Sequence, residues 1–413
     1  MNGKRKFFLV LILGLLTAIG PFSIDMYLPG FPAIAADLHT TVAHVSLSLS
    51  SFFIGISAGQ LFYGPLLDRF GRKRPLYFGL FVYLLASVGC AFVTSADSLI
   101  VLRLLQAFGG CAGMVASRAL VRDLFPVEES AKVFSLLMLV VGVSPIIAPT
   151  LGGYLTASVG WKSIFIVLAA MAALILVAVY FKLPKGRKPD VSLSLKPKAI
   201  ISNFVSVAKE PQFYTFASTG AIASAGLYAY IAGSPYVFME IFKVTERQYG
   251  WIFALVAMGL IGSSQLNSIF LRTYKSDQII RVALLCQSIV GISIFVGSYF
   301  GLLEVFSTIF FIFLFLCCQG FIFPNTSALS LAPFSKNAGS ASALLGSVQM
   351  GIGALMSALV SILSNHTALP MTGVMAGCAV VSFIILMIGS HGMLKRATAQ
   401  QVEEESVDMM ATS

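Results

Sequence analysis

The chain has 413 residues, 57% of them hydrophobic and only 11% charged, and a formal net charge of +10. A soluble domain carries about 25% charged residues, so this composition excludes a cytosolic enzyme, a secreted disulfide scaffold and a disordered regulator. In so apolar a chain the basic excess marks one side of a membrane, and no nucleic-acid partner is expected.

Apolar segments fall at about 7–29, 45–66, 75–95, 98–120, 132–156, 161–183, 213–238, 248–270, 279–300, 305–328, 338–364 and 370–393. A membrane helix needs roughly 20 such residues, so the pattern predicts an all-α protein with twelve transmembrane helices. The first run is too long for a signal-peptide core and lacks a small-residue cleavage site, so it reads as an uncleaved helix. The one long polar interruption, 184–211, leaves six spans on each side. It divides the chain into a bundle over 1–183, a basic linker over 184–211 and a second bundle over 212–396. The polar tail 397–413, with Glu403, Glu404, Glu405 and Asp408, is expected to be disordered.

The basic residues set the orientation. Counting from the side of the N-terminus, 22 of the 27 Lys and Arg fall on that side and three (Lys162, Lys243, Arg247) on the other. That asymmetry predicts cytoplasmic termini and a cytoplasmic linker. The remaining two, Arg103 and Arg118, lie inside spans. The six cysteines all lie in apolar stretches and the four histidines are scattered, so the cysteines read as small apolar residues, with no metal or cofactor expected.

Of the seventeen Asp and Glu residues only Asp25 lies well inside a span. It follows Phe7 by about 27 Å of helix, in the outer part of the membrane, and Gly14, Thr17 and Pro21 share its face. A carboxylate at such depth is expensive and marks a functional site. The fourth span carries Arg103, Gln106, Gly110, Gly113 and Ser117 along one stripe, with Arg118 deeper near the same face. The stripe suits the wall of a water-filled cavity, although Arg118 also suits snorkelling to headgroups. An arginine keeps its proton under physiological conditions, whereas an aspartate can give its up. Asp25 is therefore the expected proton carrier and Arg103 its partner.

Between the second and third spans stands GPLLDRFGRKRPL, in which Gly64 and Gly71 permit a tight turn and Asp68 can pair with an arginine. The residues Gly64, Leu66, Asp68, Arg69, Gly71, Arg72 and Lys73 complete a pattern that resembles the cytoplasmic signature of the major facilitator superfamily. Arg103, Gln106, Ala107 and Gly109 resemble that family's second motif. The fifth span, GVSPIIAPTLGG, resembles the antiporter motif through Pro149, Gly152 and Gly153, with Ala148 in place of a leading glycine; Pro145 and Pro149 would bend it. Together with SIDMYLPGFPAIAADL, ASRALVRDLF and AGSASALLGSVQMGIGAL, these segments look like the Bcr/CflA type of multidrug transporter. The second half's counterpart of the signature is degraded to LRTYKSDQ.

The resemblance implies two six-helix bundles in the bacterial inner membrane, exporting small organic compounds in exchange for protons by alternating access. Export of a metabolite such as an amino acid or sugar would use the same machinery. It implies a cytoplasmic gate at Asp68 and its neighbours, and cavity positions at Tyr27, Tyr228, Tyr230, Phe321, Asn325 and Gln349, to which the stripe of the fourth span adds Gln106 and Arg118. The expected partners are a small-molecule substrate, protons and the lipid bilayer, with a monomeric protein. No catalytic cluster of the H-E-x-x-H or G-x-S-x-G kind occurs, so no enzymatic activity is expected.

Overall fold

A computed structural model describes residues 3–184, 186, 189, 197–334 and 338–411, with the side chains of 3–5, 127, 128, 131, 197, 199 and 392–411 left out. The basic linker residues Lys185, Arg187, Lys188 and Lys196 lie outside the described residues, as does Lys336.

The described residues are helical almost throughout. The first half comprises α1 (Gly3–Asp25), α2 (Phe31–Asp37), α3 (Val42–Phe70), α4 (Lys73–Ala91), α5 (Ala96–Leu124), α6 (Val127–Val159) and α7 (Lys162–Lys182). The linker holds α8 (Pro197–Ala208). The second half comprises α9 (Pro211–Pro235), α10 (Glu246–Phe270), α11 (Ser276–Tyr299), α12 (Val305–Leu331), α13 (Ala338–Ile362) and α14 (Leu369–Ala411). Eleven segments among the described residues are long and apolar enough to cross a membrane, α1 and α2 counting as one. The twelfth helix, α9, is rich in Ser, Thr, Gly and Tyr, and most of it is buried. Protein rather than lipid surrounds it, so it needs less apolar surface.

Local chemistry sets the helix ends. Thr41 and Ser95 cap α3 and α5 by accepting from the backbone N–H of His44 and Ser98. Thr245 and Gln248 form a capping box on α10. Gly71 (φ 79°) and Gly160 (φ 97°) end α3 and α6 in the left-handed region that favours glycine.

Three expectations need correction. The first span does not run unbroken to residue 29. It stops at Asp25, passes through a short 3-10 turn (Leu28–Gly30) and resumes as α2; Pro29 and Pro32 lack the N–H groups a continuous helix would need. The linker is not merely polar, since α8 buries Val207. The tail is not without structure: α14 continues through it to Ala411, along a run of Ala, Gln, Glu and Met that favours helix.

The two halves meet along two seams, α3 with α13 and α6 with α10. Hydroxyl groups stitch the first seam. Ser46 Oγ donates to the Ala232 carbonyl of α9 at 3.1 Å, Ser50 meets Ser357 at 2.8 Å, and Ser57 Oγ donates to the Ser347 carbonyl at 2.8 Å. Nearer the end that carries Arg72, Gln60 packs on Gly346. On the second seam, a Cβ on Gly153 would lie 2.5 Å from the Glu246 carbonyl, and one on Gly250 would lie 2.9 Å from that of Pro149. Arg247 covers the Tyr154 ring at 5.1 Å. The halves are therefore closely packed at the end opposite Arg72. At the Arg72 end a cavity of about 840 Å³ separates them.

Candidate transport site

Asp25 is the last residue of α1, where the helix breaks, and is only 5% exposed. Its carboxylate has no hydrogen-bond or ion-pair partner among the described residues. The groups that feel its charge are Tyr228, Tyr230 and Tyr249, all from the second half. The expected pairing with Arg103 is absent. Ser23, two residues earlier on α1, turns its hydroxyl to Tyr83 of α4 at 2.6 Å. Two residues turn a helix by about 200°, so a helix that shows Ser23 to α4 shows Asp25 to the other half.

Arg103 is fully buried in the first bundle. It donates to Gln106 Oε1 at 2.5 Å and to the Ser23 carbonyl at 2.8 Å. Its guanidinium lies 4.1 Å from the ring centroid of Phe52, 4.5 Å from Tyr27 and 5.9 Å from Phe165. A desolvated cation over an aromatic face gains roughly 2 kcal/mol, so three rings and two acceptors hold this charge without a carboxylate. Tyr27 also meets Ser48 at 2.8 Å, and Gln106 donates to Ser87 at 2.7 Å. Tyr27 and Gln106 therefore belong to this aromatic box and are absent from the cavity wall. The stripe below them is a packing seam, not a water-filled wall: Thr17 donates to Ser117 at 2.9 Å, and a Cβ on Gly113 would meet the Leu16 carbonyl at 3.0 Å.

The cavity wall at the basic end includes Gly64, Asp68, Arg72, Arg118, Arg122 and Asp123. Gly64 is no turn residue. It lies within α3, and the turn is left to Gly71 and Arg72. The Arg72 side chain, 8% exposed, bonds Asp68 at 2.5 Å and Asp123 at 2.7 Å. Burial disfavours its charge, but the hydrogen bonds to Asp123 and Asp68 outweigh that and hold the guanidinium above its ordinary value. The sequence pattern pointed to Asp68 and an arginine, but not to Asp123, which is brought in from α5, 51 residues away. Arg69 lies 6.0 Å from the Phe70 ring, and Lys73 opens α4. Arg118 reaches the cavity rather than headgroups.

The other candidates scatter. The Tyr228 ring packs on Phe53 at 4.8 Å and against Gly353. Tyr230 stacks on Phe253 at 5.7 Å. Asn325 donates to Asn267 at 2.7 Å, a partner the sequence did not suggest, and Phe321 packs on Phe270 at 5.5 Å. Gln349 is buried with its Nε2 unpartnered among the described residues. In the fifth span, Gly152 presses on the Met26 carbonyl at the α1 break and Gly153 on α10, while Pro145 and Pro149 lie inside the unbroken α6.

Residues 13–358 match the Major Facilitator Superfamily. The chain belongs to that superfamily. A bicyclomycin resistance protein homolog of Haemophilus influenzae is 32% identical over 92% of this chain and 96% of its own. The MFS-type transporter YdgK of Bacillus subtilis is also 32% identical, over 97% of this chain and 98% of its own. The multidrug resistance protein MdtL of Escherichia coli is 29% identical over 91% and 94%. These relatives agree with the Bcr/CflA-type resemblance, and the chain is a multi-pass membrane protein. The superfamily fold recurs in a solved bacterial homolog of the human lysosomal transporter Spinster, in an inward-facing form (TM-score 0.71, 14% identity, 94% of this chain and 96% of that one). It recurs also in a D-xylose–proton symporter (TM-score 0.71, 13% identity, 92% and 97%).

Proposed function

We propose that this superfamily member exports small organic compounds, antibiotics among them, across a bacterial inner membrane in exchange for protons. The basic end is then cytoplasmic, with both termini on that side, and the protein works as a monomer. The observation that carries this reading is the arrangement of the halves: a cavity between them at one end and tight seams at the other, which is one of the two states alternating access requires. The names of the relatives support the substrate class. Asp25 is the proton carrier in this reading, being a buried carboxylate without a fixed partner that faces the moving half. A proton or a substrate group is then what relieves the cost of its charge. The Asp68–Arg72–Asp123 cluster acts as a latch at the cytoplasmic end, tying the α3–α4 turn to α5. Drug susceptibility in a host stripped of its own pumps tests the reading, with proton release from acid-loaded inverted vesicles as the second measurement. Wild type should raise resistance and release protons on adding substrate, and Asp25→Asn should do neither. Proton release that persists in Asp25→Asn would put the carrier elsewhere.

A further inference from the structure

The cytoplasmic-end cavity holds charges that the proton cycle leaves unused. Both carboxylates of its wall, Asp68 and Asp123, are engaged by Arg72. Arg118 and Arg122 have no hydrogen-bond or ion-pair partner among the described residues, and both line the cavity. They stand four residues apart on α5, so they share a face and repel each other. Arg118 and Arg122 are both exposed, and the cavity is the space they are exposed to. Around the two guanidinium groups the wall is apolar at Val115, Phe134 and Phe204 and neutral-polar at Gln60, Asn203 and Ser342.

A membrane protein that needed only an anchor for its basic side could place these arginines at the headgroups. Here they line the space between the halves, and no carboxylate among the described residues pairs with them. A guanidinium is a planar fork that matches a carboxylate with two parallel hydrogen bonds. The apolar wall beside it suits a ring or short hydrocarbon body. A lipophilic cation would meet two positive charges of its own sign that no described carboxylate pairs.

We infer that the cavity takes up its cargo by an anionic group, with Arg118 holding a carboxylate and Arg122 reinforcing it, so that the substrates are small amphiphilic organic acids. This deepens the efflux reading and rests on it for direction of transport only.

The test compares 1-naphthoate with 1-naphthamide, which share shape and differ in charge. Binding to the purified full-length protein in detergent is measured by calorimetry at neutral pH and low ionic strength. Wild type should prefer the acid by about tenfold or more, equivalent to ~1.4 kcal/mol. Arg118→Gln should erase that preference, and a wild-type melting temperature in detergent shows that the variant is folded. Arg118→Lys should retain part of it, and Arg122→Gln should reduce it. Equal binding of the two probes by wild type, a preference that survives Arg118→Gln, or binding of neither probe overturns the proposal. Export of the same probes is measured separately in inverted vesicles. Acid-selective binding without export would bring down the efflux reading and leave the anion site standing. Export of the amide as fast as the acid would do the reverse.

Discussion

Gly153→Ala offers the sharpest test of how the halves close. The added Cβ would sit 2.5 Å from the Glu246 carbonyl and 3.4 Å from the Arg247 Cα, both backbone atoms of the facing half. The first distance is about 0.9 Å short of ordinary contact, and no side chain can swing away to relieve it. Overpacking of this kind costs about 1–3 kcal/mol. Because the clash lies across the seam, the cost falls on the state in which the seam is shut, which shifts the open-to-shut ratio roughly 5- to 150-fold. Ser46 reports that ratio. It is 3% exposed, against the Ala232 carbonyl across the interface. A cysteine placed there, in a background without the six native cysteines, reacts with a membrane-impermeant maleimide only when the far end opens. Its labelling rate should rise in Gly153→Ala by that factor. Gly64→Ala is the control, since a Cβ there meets nothing within 4 Å. Unchanged labelling in Gly153→Ala, or an equal rise in Gly64→Ala, would refute the reasoning.

The latch should be lopsided. Asp123 is 10% exposed against Arg72 and Asp68 is 51% exposed. Asp123→Asn should therefore destabilise the purified protein by about 3–5 kcal/mol, the cost of breaking a buried pair, and Asp68→Asn by about 0–1 kcal/mol, as read by thermal unfolding in detergent. Equal losses would contradict the burial argument. Asp68→Asn should still slow turnover, while equilibrium binding stays within a few-fold. For Arg103, replacement by Lys keeps the charge but loses the planar contact with Phe52 and Tyr27, so a loss on the order of 2 kcal/mol is expected. A neutral effect on melting would mean that the rings do not carry the charge. Glu129 is held below the usual carboxylate range by Lys6 at 2.8 Å. A depressed carboxylate contributes stability above its unfolded value and loses it as pH falls through the folded one, so Glu129→Gln should narrow the gap to wild type only on the acid side. A difference that grows toward alkaline pH would reverse the sign.

What was legible in the sequence follows from what each signal encodes. Apolar runs fix helices because the bilayer imposes their length, and α9 alone falls outside that criterion, since other helices cover it. The cytoplasmic signature was legible because its spacing is local: Asp68 and Arg72 are one turn apart. Asp123 was not, because only the bundle brings α5 to α3. Asp25, the one carboxylate well inside an apolar run, was visible by census alone. Its partner was misjudged because depth in the membrane says nothing about azimuth. Arg103 and Asp25 share a level, but Ser23 faces α4 and Asp25 faces away from it. The small residues at Gly110, Gly113 and Ser117 were read as cavity lining, although the same residues also let α1 and α5 approach closely. A stripe on one helix cannot distinguish the two.

The break in α1 links these points. A continuous helix through residue 30 would carry Tyr27 about 200° round from Asp25 with no lateral shift. The turn at Leu28–Gly30 instead lets Tyr27 fold under Arg103 and pack on Phe31 at 4.8 Å. The backbone at Met26, in the same break, is where Gly152 of α6 presses. The next residue of α6, Gly153, presses on α10 of the other half. Asp25, Met26 and the inter-half seam are thus joined by two adjacent glycines and one interrupted helix. On the proposed cycle, movement of α10 against α6 would reach the Asp25 carboxylate through contacts between backbones, which yield less than side chains do. Gly152→Ala should then disturb proton release as much as it disturbs export, while Gly153→Ala should act first on the opening of the far end. Proton release at the wild-type level in a folded Gly152→Ala variant would show that the α1 break does not couple the seam to Asp25.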